Sequence, residues 1–424
     1  MRNHPLVPTG KHLVFEWLCI AIVYSMFFWT GGNSGFIILL TAYWLFFEKK
    51  FFDVSSKRTQ LMFLFCSLYL ISLIGLLNTA NMEIGLFRLQ QKSAIFFFPI
   101  IFGTTILAER SFHIIKIHFV LACLLAAIIS LIYGIVNFVR TGQSFRMTRE
   151  GLMLFADLNP PMTGLLCIIA IIILLHHIRE LSVRYRVAAM AIVAFLTIYM
   201  ILLGVRLEVI CLFVLLVFFI FRYIRSTVIR ILLASGFVLA TAISLLFIPA
   251  LNRKWKELVD FSPQNTIVLD KDSSLGRSWG GKSIRLAIWQ CSKDVIKRNW
   301  LTGVGTGDVQ DSLQAAYAQR KFYFAAYHNK YNAHNEYLEM WLANGLPGLL
   351  IYVSCLVIPL LMFGGKASAL DYTLFICLLL VMSFTETFLN VNKGVILYSF
   401  FNSIFGFAYF TTGVRPTSKN RSAL

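Results

Sequence analysis

Long apolar runs separated by short polar connections set the pattern of this chain. A run of roughly 17 or more apolar residues is long enough to cross a hydrocarbon core of about 30 Å as a helix. About twelve such runs can be read, near residues 13–30, 34–48, 60–77, 93–109, 114–139, 158–178, 187–205, 207–224, 229–250, 346–363, 371–390 and 394–412. The spacing predicts an all-α polytopic membrane protein of about twelve transmembrane helices, with one large loop between helices 9 and 10. The chain then divides into residues 1–250 with helices 1 to 9, a cap at 251–345, and residues 346–424 with the last three helices and a tail.

Inside the long loop the pattern changes to an amphipathic one. Residues 262–274 are polar and turn-rich, whereas Ser283 to Lys297 has helical spacing, with Ile284, Ile288, Cys291 and Val295 on one face. A glycine-rich turn follows at Gly303-Val304-Gly305-Thr306-Gly307. It lacks the Lys-Ser/Thr end of a phosphate loop and follows no strand, so a nucleotide site is not indicated. Where the loop meets the tenth run, His334-Asn335 precedes Gly345 and Gly348. At 3.6 residues per turn, His334, Leu338 and Trp341 are expected on one face of a short helix that Asn344-Gly345 ends before Pro347. That places an imidazole just above the bilayer.

Composition agrees with membrane residence. The chain is 58% hydrophobic and 14% charged, with a mean hydropathy of +0.74; soluble proteins hold about 45–50% apolar residues. A formal charge of +18 would point to nucleic acid in a soluble protein, but here the cations mark topology. With the N-terminus inside, the inner connections carry Lys49, Lys50, Lys57, Arg58, Arg110, Lys116, Arg179, Arg184, Arg186, Arg222, Arg225, Arg230 and Lys366. The outer short connections carry fewer, so the long loop is outside. The first run lacks a small-residue cleavage site and reads as an uncleaved anchor. Seven of the eight cysteines lie in apolar runs and Cys291 alone in the loop, which implies no disulfide framework and no zinc cluster.

Several polar residues are candidates for chemistry. Arg206 interrupts an apolar stretch, where a charge costs about 2.5–3.5 kcal/mol at mid-bilayer; it pairs with Glu208 or snorkels in one reading, and grips an anion in the other. Arg285 and Trp289 stand at i and i+4, a cation with an aromatic neighbour suited to a sugar face or to the guanidinium itself. Arg88 and Lys92 repeat that spacing and serve equally as headgroup anchors or substrate contacts. Glu386, near the end of the eleventh run with Asn390, is an intramembrane carboxylate that Arg206 or Lys393 would satisfy. Asp270-Lys271-Asp272 matches a common metal-binding pattern, but its Ser-rich setting argues against a metal.

Taken together, His334-Asn335 with Gly345 and Gly348, Arg285 to Trp289 with the glycine turn, and Arg206 make the chain resemble the bacterial O-antigen ligases. Their superfamily also holds O-antigen polymerases and protein O-oligosaccharyltransferases. Many relatives carry Ser-Arg-Gly where this chain has Val205-Arg206-Leu207. The resemblance implies an inner-membrane, multi-pass enzyme with its site on the periplasmic side. It implies inverting transfer of a glycan from undecaprenyl pyrophosphate to a lipid A-core or other glycan acceptor, without metal, cofactor or nucleotide sugar. In that reading His334, with an ordinary pKa near 6.5, takes the acceptor's proton. Arg206 and Arg285 hold the diphosphate, and Asn335, Arg88, Lys92, Trp289 and Glu386 contact substrate. Membrane lipids are the other expected partners. A polymerase or a protein glycosylating enzyme would use the same donor and site. A lipid-linked oligosaccharide transporter would also need a basic cavity, but with its charges nearer the midplane.

Overall fold

The computed structural model describes residues 10–48, 50, 52–143, 149–152, 159–233, 235–236, 239, 281–322 and 324–412. Asp270 and Asp272, with most of the ninth apolar run, lie outside the described residues. The described residues form helices and connections, with no strand among them. In chain order the helices are α1 (Gly10–Phe28), α2 (Thr30–Phe47), α3 (Lys57–Ile74), α4 (Met82–Gln91), α5 (Ala94–Thr104), α6 (Glu109–Thr141), α7 (Pro160–His177), α8 (Val183–Leu203) and α9 (Arg206–Tyr223). After the undescribed stretch come α10 (Gly281–Arg298), α11 (Val309–Gln319), α12 (Glu336–Phe363), α13 (Leu370–Met382) and α14 (Asn392–Thr412).

Five helical stretches among the described residues are long and apolar enough to cross a membrane: Lys57–Asn78, Glu109–Thr141, Pro160–His177, Val183–Leu203 and Glu336–Phe363. Leu13–Phe28, Gly31–Phe47 and Ala367–Met382 are shorter apolar helices. Among the described residues, the fourth and eleventh expected spans are interrupted. The fourth contains a helix of only 11 residues, α5, with Pro99 inside it. The eleventh stops at Met382, and Ser383 to Val391 turn back through a short 3₁₀ segment at Phe388–Asn390. Runs of apolar residues reveal hydrophobic depth but not whether the backbone stays helical through it.

The membrane helices share one apolar core. Helix α5 packs between α3 and α14, α1 packs against α2 and α6, and α7 touches α6, α8, α9 and α13. Tight helix contacts occur where side chains are absent: a Cβ at Gly164 of α7 would lie 3.0 Å from Val205 and 3.1 Å from Glu208. That contact seats the α8–α9 corner against the first turns of α7.

A second, smaller core joins α10, α11 and the start of α12. Ile288, Cys291 and Val295 are buried there with Leu313, Tyr317, Phe322, Leu342 and Ala343, and Ile284 packs against them. This is the apolar face expected from the spacing; each fully buried aliphatic residue contributes roughly 1.5–3 kcal/mol. The glycine turn locks this unit to the membrane helices. Val304 and Gly305 donate their N–H groups to the carbonyls of Leu342 and Ala343 at 2.8 and 3.0 Å, and Leu346 donates back to Trp300 at 2.9 Å. Thr306 Oγ1 donates to Ser72 O at 2.7 Å and Asn78 Nδ2 to Gly303 O at 2.9 Å. The amides a phosphate loop would offer to a ligand are here spent on backbone carbonyls.

Candidate active site

Helix α12 begins one residue after its cap. Asn335 is the N-cap, its side chain accepting from Leu338 N–H at 3.0 Å while its Nδ2 donates to Phe384 O at 3.2 Å. His334 therefore precedes the helix instead of sharing its face with Leu338 and Trp341. Its backbone is left-handed, with φ 44°, a conformation that costs an L-residue roughly 1–2 kcal/mol. Three contacts hold that turn. The His334 N–H donates to Asn332 Oδ1 at 3.0 Å, the Ala333 N–H donates to Glu339 Oε2 at 3.3 Å, and Ala333 O accepts from Trp289 Nε1 at 3.2 Å. The helix itself breaks where the sequence placed its end: Asn344 and Gly345 leave helical geometry, Gly345 at φ 64°.

Glu336 and Glu339, in the first turn of α12, are fastened to the segment beyond α13. Glu336 N–H donates to Ser383 O at 2.8 Å, and Leu389 N–H donates to Glu336 Oε2 at 3.0 Å. Asn390 Nδ2 donates to Glu339 Oε1 at 2.7 Å, and Arg88 Nη1 donates to Asn390 O at 3.1 Å. Lys92 is 4% exposed and lies in the field of both carboxylates, Glu336 and Glu339. Its buried place corrects the headgroup-anchor reading: a desolvated ammonium needs opposite charge nearby, and these two acids supply it. Arg88 thus braces the segment that carries Glu386, while Lys92 faces the two acids that hold it. Nothing in the sequence singles out Glu336 and Glu339, because acids in a first helical turn are ordinary there; what marks them is burial, at 0% and 6% exposure.

The His334 ring stands beside Tyr331, ring centroids 5.7 Å apart, and lines a cleft of about 100 Å³. Asn159, Pro161 and Met162 at the start of α7 form one wall; Asn332, Glu386 and Thr387 form another. The positive end of the α7 dipole therefore opens onto the cleft, which favours an anion. Glu386 accepts from Arg285 Nη2 at 2.9 Å. Beside the Arg206 and Lys393 that the sequence offers as its partners, Arg285 reaches it from α10. Burial, followed by the positive charge of Arg285, pushes the His334 imidazole down to about 4. His334 Nδ1 and Arg285 Nε are both buried without a hydrogen-bond partner.

Trp289 spends its ring N–H on the turn under His334, which makes it a support for that turn. Arg206 opens α9 just after Gly204, whose φ of 64° turns the chain out of α8. It stands at the corner packed on α7, outside the wall of the cleft.

The family model described as O-antigen ligase (Wzy_C) matches residues 191–353. Over that stretch the chain is similar to the O-antigen ligase family. The matched stretch holds Arg206, Arg285, Trp289, His334, Asn335, Gly345 and Gly348, whereas Arg88, Lys92 and Glu386 lie outside it. The O-antigen ligase family implies glycosyl transfer of the ligase or polymerase type on lipid-linked glycans. No curated protein matches the chain.

A second polar cluster lies at the other end of α7. His176, His177 and Asp371 bring possible ligand atoms within 4.8 Å of one another. Lys116 Nζ already stands among them, 2.8 Å from His177 Nε2 and 3.1 Å from Asp371 Oδ2. An ammonium in that place opposes a divalent cation.

Proposed function

We propose that this protein is an O-antigen ligase: a metal-independent, inverting glycosyltransferase that moves a glycan from undecaprenyl pyrophosphate to lipid A-core on the periplasmic face of the inner membrane. The observation that carries this reading is His334 Nδ1, buried and unpartnered beside the Arg285–Glu386 pair. An imidazole held neutral is ready to accept a proton, and Nδ1 is one nitrogen open to an acceptor hydroxyl. The acceptor oxygen attacks the anomeric carbon as the bond to the diphosphate breaks, the proton passes to His334, and undecaprenyl pyrophosphate leaves with the electron pair. The leaving group is already stable as an anion, so no general acid is needed. Arg285, with Nε free and the α7 dipole nearby, suits the charge that grows on the diphosphate.

Donor binding also sharpens the base. A diphosphate beside Arg285 offsets the positive charge that depresses His334, so the imidazole becomes more basic when the substrate is in place. Arg206 is assigned to the donor by the same chemistry, entering from the α8–α9 corner. In the cap proposed for residues 251–345, α10 and α11 are the helices described, and α10 brings Arg285 to the site. An O-antigen polymerase would use the same donor and base with a lipid-linked repeat as acceptor.

The deciding experiment is deletion of the gene in its host with gel analysis of lipopolysaccharide. Loss of all polymer from the lipid core is the expected result. A single capped repeat unit would identify a polymerase instead.

A further inference from the structure

A cleft of about 550 Å³ lies between α7, α8 and α9, within the range of about 300–1,000 Å³ found for ligand sites. Leu175 and Val193 form part of its floor, and Thr197, Phe213 and Val217 part of its sides. Arg179 and Arg186 line the same cleft. Both guanidiniums are fixed by backbone carbonyls. Arg179 Nη2 donates to Tyr223 O at 2.7 Å and the group stands 4.6 Å from the Tyr223 ring centroid, so it ties the end of α7 to the end of α9. Arg186 Nε donates to Ile178 O at 3.2 Å and its Nη2 to Leu181 O at 3.1 Å. Each keeps further N–H donors, and both side chains remain exposed.

We infer that this cleft binds an anionic phospholipid, with an acyl chain along α8 and α9 and its phosphate on Arg179 and Arg186. Charge decides the class of lipid: two guanidiniums at the rim of an apolar slot match a phosphate attached to a hydrocarbon chain, and a basic pocket between membrane helices is a recognised setting for acidic headgroups. Position separates this lipid from the glycan donor. Asn159 and Pro161, at the first turn of α7, line the His334 cleft, whereas Arg179 lies just past the last turn. Eighteen helical residues span about 27 Å, so a headgroup at Arg179 occupies the leaflet opposite His334. The cations of the α7–α8 and α9 connections, including Arg184, Arg222 and Arg225, add to the attraction on that side.

The test uses the full-length protein in detergent, with lipids that survive purification identified by native mass spectrometry and then exchanged against phosphatidylglycerol or phosphatidylcholine. Phosphatidylglycerol should be retained in preference and should raise the melting temperature, whereas inorganic phosphate alone should do neither. Arg179→Gln with Arg186→Gln should weaken retention on the order of tenfold or more, the effect of losing charge-assisted hydrogen bonds. Because those arginines also brace helix ends, Ala194→Phe serves as the second variant: it fills the cleft from an exposed position and leaves both cations intact. It too should abolish retention, with glycan transfer preserved. Equal retention of the two lipids, or unchanged phosphatidylglycerol retention in Ala194→Phe, overturns the assignment.

Discussion

Arg285 donates to Glu386 across the gap between α10 and the turn after α13, yet keeps its Nε buried and unpartnered. A salt bridge that leaves a donor unused is poised for an additional anion. The guanidinium is oriented by one carboxylate and has a fork edge left for another.

His334 is the first position to test. Replacement by Ala removes the proposed base and should abolish transfer, but it also places an ordinary residue at φ 44°. His334→Asn is the better control, because Asn tolerates left-handed backbone and cannot serve as the base. Both variants should insert and bind donor, with transfer from purified undecaprenyl pyrophosphate glycan at background. Near-normal turnover in either would remove His334 from the mechanism.

The pH profile follows from the depressed imidazole. His334 is neutral above about 4 in the free protein, so kcat/KM should show no His334 limb between pH 5.5 and 8, a window estimated from the ordinary value near 6.5. In the donor complex the diphosphate raises that value, so the acid limb of kcat should lie at higher pH than that of kcat/KM. Stability has the same sign: the unfolded chain takes up the His334 proton below about 6.5 and the folded one only near 4, so this residue lowers stability as pH falls through that interval. Coincident limbs for kcat and kcat/KM would contradict the coupling to donor charge.

Arginine geometry separates binding from topology. Arg206→Lys and Arg285→Lys keep the charge but lose the paired donors. Each should reduce transfer by about 10 to 150-fold, corresponding to about 1.5–3 kcal/mol for a charge-assisted bond. Arg184→Lys, far along α8 from the cleft, should be neutral. Initial rates with matched expression and melting temperature are the measurement.

Chelation tests the metal-free mechanism. Transfer should survive EDTA, since the reading assigns diphosphate charge to guanidiniums. Loss of activity restored by magnesium or manganese would bring Asp270 and Asp272 back as ligands.

The buried cluster at the far end of α7 should matter for stability and not for chemistry. Lys116 and Asp371 are 3% and 0% exposed, and Tyr409 donates to the same carboxylate. Asp371→Asn leaves the ammonium without its counter-charge, a change that costs about 3–5 kcal/mol in buried pairs. The melting temperature should fall sharply, with the surviving fraction still active.

The sequence was most legible where one residue type has one physical meaning. Asn344-Gly345 broke the helix as written, because Gly takes positive φ, and the apolar face from Ile284 to Val295 packed inward as its period required. His334 stands out by residue type but its place before the helix does not, since nothing local distinguishes the residue before a cap from the first helical turn. The pairing of Arg285 with Glu386 spans 101 positions, and no local pattern carries that. Lys92 appeared in the sequence as a surface cation because the acids that bury it are more than 240 residues away, a distance that periodicity does not cross.

The break in α12 looks at first like a joint. Gly303 and Gly345 allow no Cβ between their backbones: one at Gly345 would lie 2.0 Å from Leu301 O, and one at Gly303 would lie 2.5 Å from Ala343 O. Backbone hydrogen bonds cross the bend from both sides. It is an elbow set in a cast, and the angle between the two halves of α12 is fixed by the same peptide groups that hold the glycine turn.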